Sequence, residues 1–146
     1  MGRCAACVAT AAGTRPAQKG GVSGFTFDAG GLIALDRGDR RVLALLARAT
    51  ERRMRVTVPA TALAQAIRRP ARQARLARLI RQAATDLVAL DGPDATAVGR
   101  LLAVTRTSDI ADAHVVLCAR RADQLVVTSD ANDLRRIDPR LPLVVV

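Results

Sequence analysis

The chain has 146 residues, enough for one domain that buries roughly two thirds of the surface its unfolded form exposes. Half of it is apolar, yet it holds two Phe and neither Tyr nor Trp. The core therefore falls to Ala, Leu, Val and Ile, and binding by stacking bases on aromatic platforms is disfavoured. The formal net charge of +10 is carried by arginine, with Lys19 the sole lysine; arginine forks phosphates with paired hydrogen bonds, which favours an anionic polymer over a small neutral metabolite.

Residues 1–24, with "GTRPAQKGGVSG", read as a flexible leader or translation-start artefact, and 25–146 as the folded domain. The run "CAACVATAA" is too short to span a membrane. Cys4-x-x-Cys7 is half a zinc knuckle without a second half, since His114 is the only histidine. Three cysteines make an odd count, which argues against a disulfide framework and favours a reducing cytoplasm.

"GFTF" (24–27) reads as a buried strand ending at Asp28, followed by a turn at Gly30-Gly31 and the helix "GLIALD". In 39–53 apolar residues at 42, 43, 45, 46 and 49 form a helical stripe with Asp39 as N-cap. "RVTVP" (55–59) is a second strand. "ATALAQAIRR" and "PARQARLARLIRQAA" follow as helices, with Pro70 in the first turn of the second. There Leu76, Leu79, Ile80 and Ala83 form the apolar side, while Arg72, Arg75, Arg78 and Arg81 recur every three residues. "DLVAL" (86–90) is a third strand, "PDATAVGRLLAVT" and "SDIADAHVVLCARRA" two helices, "QLVVTS" (124–129) a fourth strand, "DANDLRRI" a short helix and "LPLVVV" (141–146) a fifth strand.

Apolar strands alternating with helices predict an α/β sandwich around a mainly parallel sheet, and ligands of such sheets bind beyond the carboxyl ends of the strands. Asp28 and Asp130 stand at the ends of the first and fourth strands. Asp109 and Asp112 open the helix leading into the fourth, three residues apart and so on one face. Capping alone accounts for Asp109 and Asp130 but not for Asp112 or Asp28, whereas Asp94 and Asp133 suit helix starts through the dipole. His114 is expected in a structural or groove-edge role. Charge is also divided. From Arg37 to Arg81, 13 Arg face Asp39 and Glu51, a net +11; from Asp86 to Asp138, 9 Asp outnumber 6 Arg, a net −3. One part suits phosphates and the other a cation.

Several chemistries are excluded. An aspartyl-phosphate phosphatase wants a second acid at position 30, which is Gly, and both it and a receiver domain need a lysine in the site. No G-x-x-x-x-G-K-[ST] or G-x-G-x-x-G is present, and one histidine with no Ser-His-Asp arrangement disfavours a triad. A hard-cation site built from carboxylates remains. Mutual repulsion raises the proton affinity of clustered carboxylates unless a cation relieves it.

Asp28 after "FTF", "DAHVVLCA" from Asp112 and "VVTSDANDL" with Asp130 resemble the PIN-domain ribonucleases, specifically the VapC toxins of bacterial toxin–antitoxin pairs, over roughly 25–146. The resemblance implies a three-layer α/β/α sandwich with a five-stranded sheet. It implies a Mg²⁺- or Mn²⁺-dependent endoribonuclease leaving 5′-phosphate and 3′-hydroxyl ends, a homodimer, and a cognate antitoxin whose tail occupies the groove. On this basis Asp28, Asp112 and Asp130 are the catalytic and metal-binding acids, with Asp109 second. Thr128 is the hydroxyl before the last acid, and Arg72, Arg75 and Arg78 are candidate RNA phosphate contacts. Two positions depart from the family. Gln65 stands where a glutamate is usual and can orient metal or water only through its carbonyl, and Ala29-Gly30 replaces a small hydroxyl residue. The alternative reading is a catalytically weak or inactive module that binds RNA or an antitoxin.

Overall fold

The computed structural model describes residues 23–146; the expected leader and the Cys4-x-x-Cys7 pair lie outside the described residues apart from Ser23 and Gly24. Five strands, β1 (Gly24–Phe27), β2 (Arg55–Pro59), β3 (Thr85–Val88), β4 (Leu125–Thr128) and β5 (Leu143–Val145), form one sheet in the order β3-β2-β1-β4-β5. Every pairing is parallel. The central β1 is buried on both faces, as its unbroken apolar run predicts.

Seven helices connect the strands: α1 (Ala29–Asp36), α2 (Arg40–Glu51), α3 (Ala60–Ala66), α4 (Ala74–Ile80), α5 (Gly92–Thr105), α6 (Ile110–Ala122) and α7 (Ala131–Ile137). Parallel strands require crossovers, which are right-handed. From β1 the chain moves outward through β2 to β3, and from β4 outward to β5 on the other side. The first set of crossovers therefore covers one face and the second set the other. The packing agrees, with α1 against α2, α3 and α4, and α6 against α5 and α7. The result is the expected three-layer α/β/α sandwich. Its core is aliphatic apart from Phe25 and Phe27.

One expected helix is not continuous. Pro70–Arg72 is a single 3-10 turn, and α4 starts only at Ala74. Between them Gln73 is buried, and its side-chain oxygen accepts from the backbone N–H groups of Arg68 (2.9 Å) and Arg69 (3.1 Å) while its amide donates to Ala66 O (3.0 Å). A side chain that satisfies the backbone in this way replaces helical hydrogen bonds. Arg72 is thus not on the same helix as Arg75 and Arg78.

The α1–α2 connection is a Schellman turn. Gly38 N donates to Leu35 O and Asp39 N to Ala34 O, each at 2.9 Å, with Gly38 at φ +77°. Asp39 then caps α2 through the N–H groups of Arg41 and Val42.

Candidate functional site

The chain leaves β1 and β4, adjacent strands, in opposite directions. This is the topological switch point at which open α/β sheets form their ligand crevice. Asp28 follows β1 and Asp130 stands two residues beyond β4, so two of the expected acids sit at that crevice. Two glycines bring them together. A Cβ on Gly31 would lie 2.4 Å from Val127 O, and one on Gly30 would lie 2.2 Å from Ser129 Oγ. Only bare backbone lets the first turn of α1 press against the end of β4, where Asp28 N donates to Val127 O at 3.2 Å.

Asp28 is buried, and its Oδ1 accepts from Gly31 N at 2.6 Å. It is therefore the N-cap of α1, which corrects the expectation that capping has nothing to do with it; the helix begins at Ala29, inside what reads as a Gly-Gly turn. Asp109 caps α6 by accepting from Asp112 N at 2.9 Å, and Asp130 caps α7 by accepting from Asn132 N at 2.9 Å. The Thr128 hydroxyl accepts from Asp130 N and donates to Asp130 O, holding the β4–α7 turn in shape.

Asp112, half-buried on the first turn of α6, feels all of these groups. Burial first, then the charges of Asp109, Asp28, Asp133 and Asp130, push its carboxyl up to about 6. Burial also raises Asp28, and Asp130 adds to that, against the neighbouring Thr128 hydroxyl and the Gly31 and Gly30 N–H groups, which lower it. Among the described residues, none of Asp28, Asp109, Asp112 or Asp130 forms an ion pair.

No three of these acids form a closed ligand cage among the described residues. Each cap turns one carboxylate oxygen toward its own helix. Carboxylate oxygens are nevertheless the hard donors that magnesium takes, an ion that keeps several waters and uses one or two carboxylates.

Gln65 is exposed on α3 and lines a shallow cleft of about 330 Å³ with Thr61, Ala64, Ser108, Asp109, Ile110 and Ala111. It thus faces the Asp109 side of the site. Ser129 and Ser108 were not singled out by the sequence; Ser129 carries a hydroxyl to the place where a side chain at position 30 would stand. The arginines go elsewhere. Arg75 Nη1 donates to Asp36 O (3.0 Å) at the far end of α1, about 12 Å from Asp28 along an eight-residue helix.

His114 is fully buried, its Nδ1 2.9 Å from the Thr61 hydroxyl, while its Nε2 has no partner among the described residues. Burial lowers its pKa against the charge of Asp94. Asp94, itself buried, pairs with Arg121 at 2.6 Å, which lowers its carboxyl. These contacts tie α3, α5 and α6 together, a structural role for both residues. Cys118 is a free, buried cysteine whose thiol burial pushes up to about 11, so it is inert as a nucleophile at neutral pH.

No protein-family model and no curated protein sequence matches the chain. Among solved structures it is similar to a chain of VapBC2 from Rickettsia felis bound to a DNA fragment from their promoter, at 13% identity and a TM-score of 0.61, covering 84% of this chain and 98% of that one. It is also similar to a chain of FitAcB from Neisseria gonorrhoeae, at 15% identity and a TM-score of 0.56, covering 82% and 95%. At such identities the likeness is one of architecture. The all-parallel sheet, its strand order and its acid-lined switch point thus belong to a PIN-like α/β fold.

Proposed function

We propose that the chain is a divalent-metal-dependent endoribonuclease, the toxin of a toxin–antitoxin pair, acting as a homodimer and restrained by a cognate antitoxin. The observation that carries this reading is the set of aspartates converging on the switch point with no ion-pair partner among the described residues; burial first, and then their charges, raise the Asp112 carboxyl to about 6. Asp28, Asp112 and Asp130 would hold the ion, with Asp109 assisting; a bound Mg²⁺ or Mn²⁺ supplies relief of their repulsion, activation of a water and neutralisation of phosphate charge. Thr128 and the glycine contacts fix the acids in place, and Gln65 orients water or metal through its carbonyl. The toxin–antitoxin assignment rests on the sequence motifs and on the fold likeness to VapBC2 and FitAcB.

Gln65 in the glutamate position also favours a second reading, a module that binds RNA or antitoxin without cutting. A tRNA pool incubated with the protein in Mg²⁺, in Mn²⁺ and in chelator, beside Asp28→Ala, separates the two. The nuclease reading expects cleavage that needs metal and is reduced at least 100-fold by the substitution. Cleavage surviving both treatments sinks the metal mechanism, and binding without cleavage in either metal selects the module.

A further inference from the structure

A second concentration of charge lies at the opposite end of α1 from the carboxylates. The Schellman turn and the start of α2 carry Arg37, Arg40 and Arg41, and the stretch from Arg68 into the first turn of α4 carries Arg68, Arg69, Arg72 and Arg75; all seven are exposed. The two stretches are distant in sequence but joined at Asp36. Gln73 Nε2 donates to Asp36 Oδ2 (3.3 Å) and Arg75 Nη1 to Asp36 O (3.0 Å), and the Arg75 guanidinium lies so close to Gly38 that a Cβ there would meet it at 3.3 Å. Gly38 thus serves both the left-handed turn and the seating of Arg75.

None of the seven arginines is in an ion pair among the described residues. Residues 1–22 contain no Asp or Glu and therefore offer them no partner. Asp36 and Asp39 are the only acids in the two stretches, and both are engaged by neighbouring hydrogen bonds. One or two cations at the end of α1 would complement its dipole; seven exceed that need. Exposed, unneutralised guanidinium groups on two crosslinked segments match the charge of a phosphate backbone.

We infer that this face is an anchoring site for the sugar-phosphate backbone of single-stranded RNA, separate from the carboxylates and holding the strand about 12 Å from them. The inference rests on the nuclease reading for the identity of the polymer. Its phosphate chemistry stands independently.

The test is anisotropy of a fluorescein-labelled, unstructured 20-nucleotide RNA titrated with the whole chain in chelator, across a salt series. Arg40, Arg41 and Arg72 make no side-chain hydrogen bond among the described residues, so the triple variant R40A/R41A/R72A is expected to keep its fold, checked by circular dichroism. It should weaken binding at least 10-fold and flatten the logarithmic salt slope by about 2, since each lost single-strand phosphate contact removes about 0.7. The single variants R40A and R72A should each remove about a third of that slope. A charge-matched control, R100A/R135A/R140A, should stay within twofold of the unaltered chain. Equal weakening by both triple variants overturns the site in favour of diffuse attraction. Displacement of the RNA by polyglutamate at equal or lower charge concentration overturns it in favour of an acidic protein partner. No cleavage is read, so an inactive nuclease leaves the result intact, and an active nuclease indifferent to R40A/R41A/R72A sinks this inference alone.

Discussion

Asp112 bears the cost of the acidic cluster. Its carboxyl is raised from 3.8 to about 6, so the fold favours the protonated form. That contribution is fully present below the unfolded value and is lost as pH rises through 6. The difference corresponds to about 3 kcal/mol, of which solvent screening at a half-buried position leaves roughly 1 to 2 kcal/mol. Asp112→Asn is therefore expected to raise Tm by about 3 to 6 °C at pH 7.5 and by almost nothing at pH 3.5, read by thermal melts in chelator. An equal gain at both pH values would assign the effect to packing. The acids themselves were legible because strand ends and helix starts obey local rules. The capping role of Asp28 was not, because "DAGG" reads as a turn, and what makes those glycines helical is the nearby Val127 carbonyl and Ser129 hydroxyl, 97 and 99 residues away in sequence from Gly30. The unpartnered His114 Nε2 was equally hidden, since burial between α3 and α6 is a tertiary fact.

At the level of elements, α1 decides the site, because its first turn positions Asp28 and presses on β4. Gly31→Ala places a methyl 2.4 Å from a backbone carbonyl that has no room to retreat. Overpacking of that kind costs about 2 to 3 kcal/mol. Gly99→Ala is the contrast: it is helical, with nothing within 4 Å of an added Cβ, and is expected to stabilise by about 0.5 to 1 kcal/mol. Urea unfolding of the two variants tests both signs, and a destabilising Gly99→Ala would contradict the geometry. The elements show where local pattern suffices. All five strands and the α2, α6 and α7 caps follow from apolar runs and aspartate placement. The break at Gln73 does not, since the arginine period of three and the Leu76, Leu79, Ile80 face are good helical signals. The break is held by the buried Gln73 side chain, which takes up the backbone of Arg68, Arg69 and Ala66 and reaches Asp36 only when the domain is assembled.

For the molecule as a whole, charge is sorted along α1, with carboxylates at its start and bare arginines beyond its end. The four side-chain ion pairs among the described residues involve arginines that solvent reaches, and apart from the pair with buried Asp94 they contribute little. Repulsion within the basic face therefore outweighs attraction that salt would screen. Raising NaCl from about 20 to 300 mM is expected to raise Tm by a few degrees at pH 7; a fall in Tm would mean that the ion pairs dominate. The division of charge was visible in the sequence as a net +11 segment followed by a net −3 segment. Its geometry was not, because the arginines cluster by way of Asp36, whose two hydrogen bonds cross 37 and 39 positions of chain.

The rigid eight-residue α1, stopped at one end by the Asp28 cap and at the other by the Gly38 turn, has a metric consequence. A strand gripped beyond the turn and cut at the cap is measured by the helix between them. In the nuclease and anchoring site proposed above, the helix would act as a ruler that sets the scission point at a fixed offset from the grip.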